Sequence, residues 1–240
     1  MLWATMAKIS DEGVMNELTL LLIAGVWCVL AYLVGSISFA IVLSKWFGMD
    51  DPRSYGSNNP GATNMLRSGR KEVALLTLLG DAIKGFLPVY MAARWGEMST
   101  VGLAWVAFFA FLGHLYPIYF KFVGGKGVAT FLGVVLGLSA NIGLWVIVVW
   151  MVLAVAFRYS SLSSLGASAA ALILFALYWG MGWALLPMAL MVRTSHTNHN
   201  LGMGWALLPM ALMVGLMFYR HRENITKLLA GQERKLFAPK

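Results

Sequence analysis

The feature that most constrains this chain is the placement of its charges. The 28 Lys, Arg, Asp and Glu residues fall into clusters and leave charge-free intervals at 18–44, 98–120, 127–157, 159–192 and 194–219. A helix needs about 20 apolar residues to cross a bilayer, so every interval can hold at least one crossing. Composition agrees, with 60% hydrophobic and 12% charged residues, against about 45–50% and about 25% in soluble domains. An all-α, polytopic integral membrane protein is expected. The intervals 127–157 and 159–192 exceed one helix and weaken near Gly137–Gly143 and Gly180–Gly182, so each is read as a helix that folds back. The apolar stretch 73–93 adds a span containing Asp81 and Lys84. About seven spans result, near 18–43, 72–92, 100–119, 127–139, 143–157, 163–179 and 203–219. Residues 1–17 read as an N-terminal extension, 18–225 as the membrane-embedded domain and 226–240 as a C-terminal tail. Asp11, Glu12 and Glu17 stand where a cleaved signal would carry basic residues. The single cysteine, Cys28, rules out disulfide pairing within the chain.

Positively charged short loops stay in the cytoplasm. With the first span running outside to inside, 14 of the 18 Lys and Arg residues collect on one face, while Lys8, Arg94 and Arg193 lie on the other and Lys84 sits in a span. This division implies an odd number of spans, an external amino end and a cytoplasmic carboxyl end. The net charge of +8 is then explained by cytoplasmic bias and anionic lipid, and no nucleic-acid partner is implied.

The segment Gly180–Val192 recurs identically at Gly202–Val214. Two copies cannot make a solenoid, and a local duplication inserting residues 180–201 is the simplest reading. The second copy should form the last span, with 180–201 an external hairpin or interfacial segment. His196 and His199 have no nearby carboxylate and carry no metal-site reading.

Polar residues gather on the positive face. The loop Tyr55–Arg67 supplies Gly56, Ser57, Asn59, Gly61, Thr63 and Asn64, donors without negative charge, and ends on Arg67, whose planar fork suits phosphate. A second loop, Phe122–Gly127, carries Gly124, Gly125 and Lys126 but lacks the spacing of a nucleotide-binding loop. Asp81 and Lys84 share a helix face inside a span; such residues mark a functional site or a structural ion pair. Ser160–Ser164 beside Arg158 and the run Tyr219–Asn224 complete the face, and these two could equally be helix capping and an interfacial anchor. No carboxylate cluster suited to Mg²⁺ is present, which favours a metal-independent reaction on an anion, or transport of one.

Four stretches carry a family resemblance: Gly35-Ser-Ile-Ser38, Gly56-Ser-Asn-Asn-Pro-Gly-Ala-Thr-Asn64, Gly113-His-Leu-Tyr-Pro117 with Gly124-Gly-Lys-Gly-Val-Ala-Thr130, and Tyr219-Arg-His-Arg-Glu-Asn-Ile225. In this order, over about residues 20–237, the chain resembles the bacterial acyl-phosphate:glycerol-3-phosphate acyltransferases. The resemblance implies seven spans in the inner membrane and a cytoplasmic site. It implies transfer of a fatty acyl group from acyl-phosphate to the sn-1 hydroxyl of glycerol-3-phosphate, without a cofactor or metal. It also implies catalytic roles for Ser57, Arg67, Lys126, Ser164, His221 and Asn224. Substrate contacts are implied for Gly56, Asn59, Gly61, Thr63, Asn64, Lys84, His114, Gly124 and Gly125. The chain departs from the family pattern at Asn58, where glycine is usual, and at Val123, where a lysine stands; Lys121 is a candidate to replace that charge. A transporter or channel for a phosphorylated solute is the rival reading.

Overall fold

A computed structural model describes residues 2–180 and 203–236. Among them there are ten α-helices and no strand: α1 (Leu2–Gly35), α2 (Phe39–Trp46), α3 (Ala62–Arg67), α4 (Lys71–Trp95), α5 (Thr100–Leu115), α6 (Val128–Leu138), α7 (Ala140–Phe157), α8 (Ser160–Gly180), α9 (Leu207–Arg220) and α10 (Arg222–Leu229). Five stretches are long and apolar enough to cross a membrane: Glu17–Trp46, Lys71–Trp95, Thr100–Phe120, Ala140–Phe157 and Ser160–Trp179. The two other expected spans coincide with the shorter apolar helices Val128–Leu138 and Leu207–Arg220. At 1.5 Å per residue they rise only about 17 and about 21 Å, less than the hydrocarbon thickness of about 30 Å. Protein rather than lipid surrounds α6, since Phe131, Val134 and Val135 are buried in the central core with Phe111, Phe175 and Met213.

The segmentation has local causes. Between α1 and α2, Ser36 Oγ folds back to donate to Tyr32 O at 2.8 Å and Ser38 stands at the N-cap of α2. The division expected in 127–157 falls at Ser139, which ends α6 and accepts from Ile142 N to begin α7. The extension expected over residues 1–17 is helical and continuous with the first span, since α1 runs unbroken from Leu2 for 34 residues, a rise of about 51 Å, while the apolar span itself starts at Glu17. The boundary at 225 falls inside α10. The second duplicate copy contributes to α9; residues 181–202, which hold most of the 180–201 insertion, lie outside the described residues.

Small residues let the helices touch. In lipid, apolar side chains gain nothing by leaving the tails, and close backbone packing replaces the hydrophobic drive. Gly35 of α1 faces the Ala110 carbonyl of α5, and Gly113 of α5 faces the Tyr32 carbonyl of α1; neither position has space for a β-carbon. The same reciprocity joins α4 and α6, where Gly85 meets the Thr130 carbonyl and Gly133 meets that of Ala82. Outward faces stay apolar, as at Leu21, Leu22 and Val155. This scaffold brings the two loops and the α9–α10 junction to one end of the bundle.

Candidate active site

The first loop is built around Asn64. Its Nδ2 donates to Pro52 O at 2.8 Å and Tyr55 O at 3.1 Å, while its Oδ1 accepts from Ser57 N at 2.9 Å and Ser57 Oγ at 3.2 Å. Asn64 is therefore buried scaffolding that shapes the loop, not a free ligand as its position in the motif had implied. Gly56 turns at φ +64° where a β-carbon would strike that amide. Asn58, in place of the family glycine, adopts φ 53°, a conformation Asn tolerates better than other side chains. Gly61 donates to Asn59 O at 2.9 Å and caps α3. Ser57 and Thr63 remain exposed, and Thr63 Oγ1 lies 3.4 Å from Ser160 Oγ.

The second loop enters through two left-handed residues, Lys121 (φ 56°) and Phe122 (φ 60°), both exposed. Gly125 N donates to His114 O at 3.2 Å, and neither Gly124 nor Gly125 has room for a β-carbon. Arg220, at the end of α9, clamps this loop by donating from Nη2 to Gly124 O at 2.6 Å and from Nε to Gly125 O at 3.1 Å. Lys126 Nζ donates to Asn224 Oδ1. Asn224 Nδ2 donates to Glu233 Oε1 at 2.7 Å, and Ser161 Oγ donates to the same oxygen at 2.9 Å. Burial holds the Lys126 ammonium below its usual pKa; Glu233 and Glu223 oppose the shift, and Arg67 and Arg220 add to it. Arg67 is likewise lowered, first by burial and then by Arg234, with Glu233 opposing. These cations thus share one field with the carboxylate of Glu233, joined at Lys126 by that of Glu223.

His221, at the junction of α9 and α10, is 3% exposed. Its Nδ1 lies 2.8 Å from Met217 O; a carbonyl can only accept, so Nδ1 carries the proton and Nε2 is the free lone pair. Burial draws the imidazole pKa down to about 4, the Met217 bond opposes this, and the Lys126 charge deepens it.

Of the expected site residues, Ser57, Thr63, Arg67, Gly124, Gly125, Lys126, His221 and Asn224 meet at this end. Ser164 does not offer its hydroxyl there: it donates to Ser160 O at 2.7 Å and accepts from Trp150 Nε1 at 3.2 Å, tying α7 to α8. Lys84 and His114 are buried behind the loops, where Lys84 pairs with Asp81 at 2.7 Å. Two residues were missed. Arg220 lies in the Tyr219–Asn224 run, which the sequence allows as part of the polar face or as an interfacial anchor without giving Arg220 a role, and Glu233 lies in the tail beyond residue 225. The tail returns to the bundle where Leu236 N donates to Arg158 O at 2.6 Å, a backbone bond that no side-chain pattern announces.

Cations and hydroxyls gathered at one end of an apolar helical bundle define a multi-pass membrane protein with a site suited to an anion. The family model for glycerol-3-phosphate acyltransferase matches residues 25–231. A glycerol-3-phosphate acyltransferase of Janthinobacterium sp. (strain Marseille) is 50% identical over 213 residues, covering 88% of this chain and 95% of that protein. One from Burkholderia orbicola (strain MC0-3) is 48% identical over 212 residues, covering 86% and 89%. Two crystal structures of PlsY (YgiH), an integral membrane glycerol 3-phosphate acyltransferase, superpose at 36% identity. The glycerol 3-phosphate form has a TM-score of 0.73 and covers 89% of this chain and 95% of that one. For the lysophosphatidic acid form the TM-score is 0.72, with 88% and 94% covered. The chain belongs to the glycerol-3-phosphate acyltransferase family and is an integral membrane acyltransferase.

Proposed function

We propose that the enzyme transfers a fatty acyl group from acyl-phosphate to the sn-1 hydroxyl of glycerol-3-phosphate, releasing lysophosphatidic acid and phosphate, as the first step of phospholipid synthesis. The observation that carries this reading is the convergence of Arg67, Lys126 and the Ser57 and Thr63 hydroxyls on the end of the bundle where Arg220 clamps the Gly124–Gly125 backbone. Both substrates are phosphates, and this region supplies cations and donors for them. Ser57, Thr63, Arg67 and Lys126 bind phosphate; Asn224 aims Lys126 and is itself held by Glu233. Gly56, Asn59, Gly61 and Asn64 shape the first loop. In this reading the end faces the cytoplasm of a bacterial inner membrane with the amino end outside, which the excess of Lys and Arg on that face supports, and acyl chains reach the site from the lipid.

In the reaction the sn-1 oxygen attacks the acyl carbonyl carbon, the bond from that carbon to the phosphate oxygen breaks, and phosphate leaves. Lys126 and Arg67 stabilise charge developing on the acyl oxygen and the leaving phosphate, a term worth several kcal/mol. The hydroxyl proton needs an acceptor. His221, with its pKa near 4, is a weak base at neutral pH, whereas a phosphate monoester titrates near about 6. A substrate phosphate oxygen is the better acceptor, and the reaction is substrate-assisted.

Purified protein in detergent, given acyl-phosphate and glycerol-3-phosphate, should release inorganic phosphate and form lysophosphatidic acid. No release without a membrane gradient would return the transport reading. Loss of turnover in His221→Ala with glycerol-3-phosphate binding intact would replace substrate assistance with histidine base catalysis.

A further inference from the structure

Behind the two loops lies a sealed polar cluster. Lys84 and Asp81 of α4 are 3% and 2% exposed, and Lys84 Nζ, 2.7 Å from Asp81 Oδ1, also donates to Ile37 O at 2.6 Å. Ile37 is the centre of the Ser36–Ser38 break. Because α2 begins with the bond from Val42 N to Ser38 O, the Ile37 carbonyl is the one left just before its first turn, and Lys84 is its donor. An unsatisfied carbonyl at this depth is costly in a bilayer, so the ammonium fixes the angle at which α2 leaves α1. α2 then carries the first loop: Ala40 and Leu43 pack with Met65 of α3 and Val73 of α4, and Ser44 Oγ reaches Met65 Sδ at 3.7 Å.

The opposite side of the cluster supports the second loop. His114 Nδ1 lies 3.7 Å from Asp81 Oδ1, too far for a hydrogen bond, and this buried nitrogen makes none. The far edge of the ring, Nε2, abuts the α-carbon of Gly125, whose missing side chain is what admits it. One ion pair therefore touches the break that aims the first loop and, through His114, the floor of the second.

We infer that Lys84 is a positioning residue, acting directly through Ile37 and, by way of its partner Asp81, through His114 to set the separation of the two phosphate-binding loops, and that it does not touch substrate. This rests on the acyltransferase reading of those loops. A phosphate gripped between two loops is sensitive to their spacing, and a displacement of about 1 Å can cost on the order of 100-fold.

The test compares Lys84→Met, Lys84→Arg and the double variant Asp81→Asn/Lys84→Met as purified full chains in detergent, reading thermal stability, kcat, KM for glycerol-3-phosphate and, without acyl donor, binding of inorganic phosphate. Lys84→Met strands the Asp81 charge and should lose both stability and affinity. The double variant removes both charges and should regain stability while its KM stays raised on the order of 10- to 100-fold, with phosphate binding weakened in proportion. Lys84→Arg, keeping charge and donors, should restore KM towards wild type. A double variant with wild-type KM and phosphate binding would overturn the inference, because the pair would then be structural alone. Should the double variant not fold, His114→Asn withdraws only the ring behind Gly125: raised KM supports the inference and unchanged KM overturns it. Wild-type protein that bound phosphate but released none from acyl-phosphate would sink the acyltransferase reading instead, leaving the loop-spacing inference to stand or fall on phosphate binding.

Discussion

Two polar clusters lie within a few turns of each other and are built on opposite terms. At the end of the bundle Arg67, Lys126 and Asn224 are half-buried, and cations outnumber the carboxylate they share, Glu233. Inside, Asp81 and Lys84 balance one another and are closed off. An open cluster with surplus positive charge is completed by an incoming anion; a sealed neutral pair is complete already and serves the scaffold. The motif alone had placed Lys84 with the substrate-binding groups, and burial is what separates the two kinds of lysine.

The comparison is broken most strongly at its sealed side. Asp81→Ala leaves the Lys84 ammonium buried without a counter-charge and should cost about 3–5 kcal/mol, read as a large fall in thermal stability in detergent; an unchanged melting temperature would mean that water reaches the pair. At the open side, Lys126→Met should lower kcat/KM by about 10²–10³-fold in a phosphate-release assay while leaving the melting temperature near wild type. Equal losses of activity and stability there would erase the distinction.

His221 stands between the two kinds, buried yet bordering the open cluster. Its folded pKa of about 4 lies below the ordinary 6.5, so the neutral ring contributes stability that is fully present above pH 6.5 and is lost as pH falls towards 4. The loss is on the order of 3 kcal/mol. Melting curves across this window should show it, and His221→Gln should flatten the slope. The smallest effect is expected at Lys121, exposed on its left-handed corner: Lys121→Ala should change KM for glycerol-3-phosphate less than about fivefold, since a surface charge is worth under about 1 kcal/mol. A larger rise would show that Lys121 does stand in for the lysine replaced at Val123.

Much of this was legible in the sequence because membranes force charge into few places. The intervals between charges located the long helices apart from α4, which the apolar stretch 73–93 supplied, and the break at Ser139 followed from the weak Gly137–Gly143 stretch. Asn58 was readable as a left-handed residue from its chemistry. What could not be read were roles decided by partners distant in sequence. Asn64 and Ser164 look like ligands until their hydrogen bonds are seen to be taken by Tyr55 and Trp150. Arg220 looks like a lipid anchor until its guanidinium is found on Gly124 and Gly125, about 95 positions earlier in the chain. Glu233 belongs to no motif in the tail beyond residue 225, and only the turn after α10 returns it to Asn224.

That returning tail has a consequence for biogenesis. Among the described residues the Glu233 anchor and the Leu236 clasp on Arg158 follow every helix in chain order, so they can form only after α9 and α10 have been made. A nascent chain still held by the insertion machinery would possess the Ser57 and Lys126 loops but not the groups that steady Asn224. The loops that would grip phosphate are thus made long before the carboxylate that steadies the Asn224 partner of Lys126, and the order of the chain alone makes the finished site depend on the packing of its last described helix.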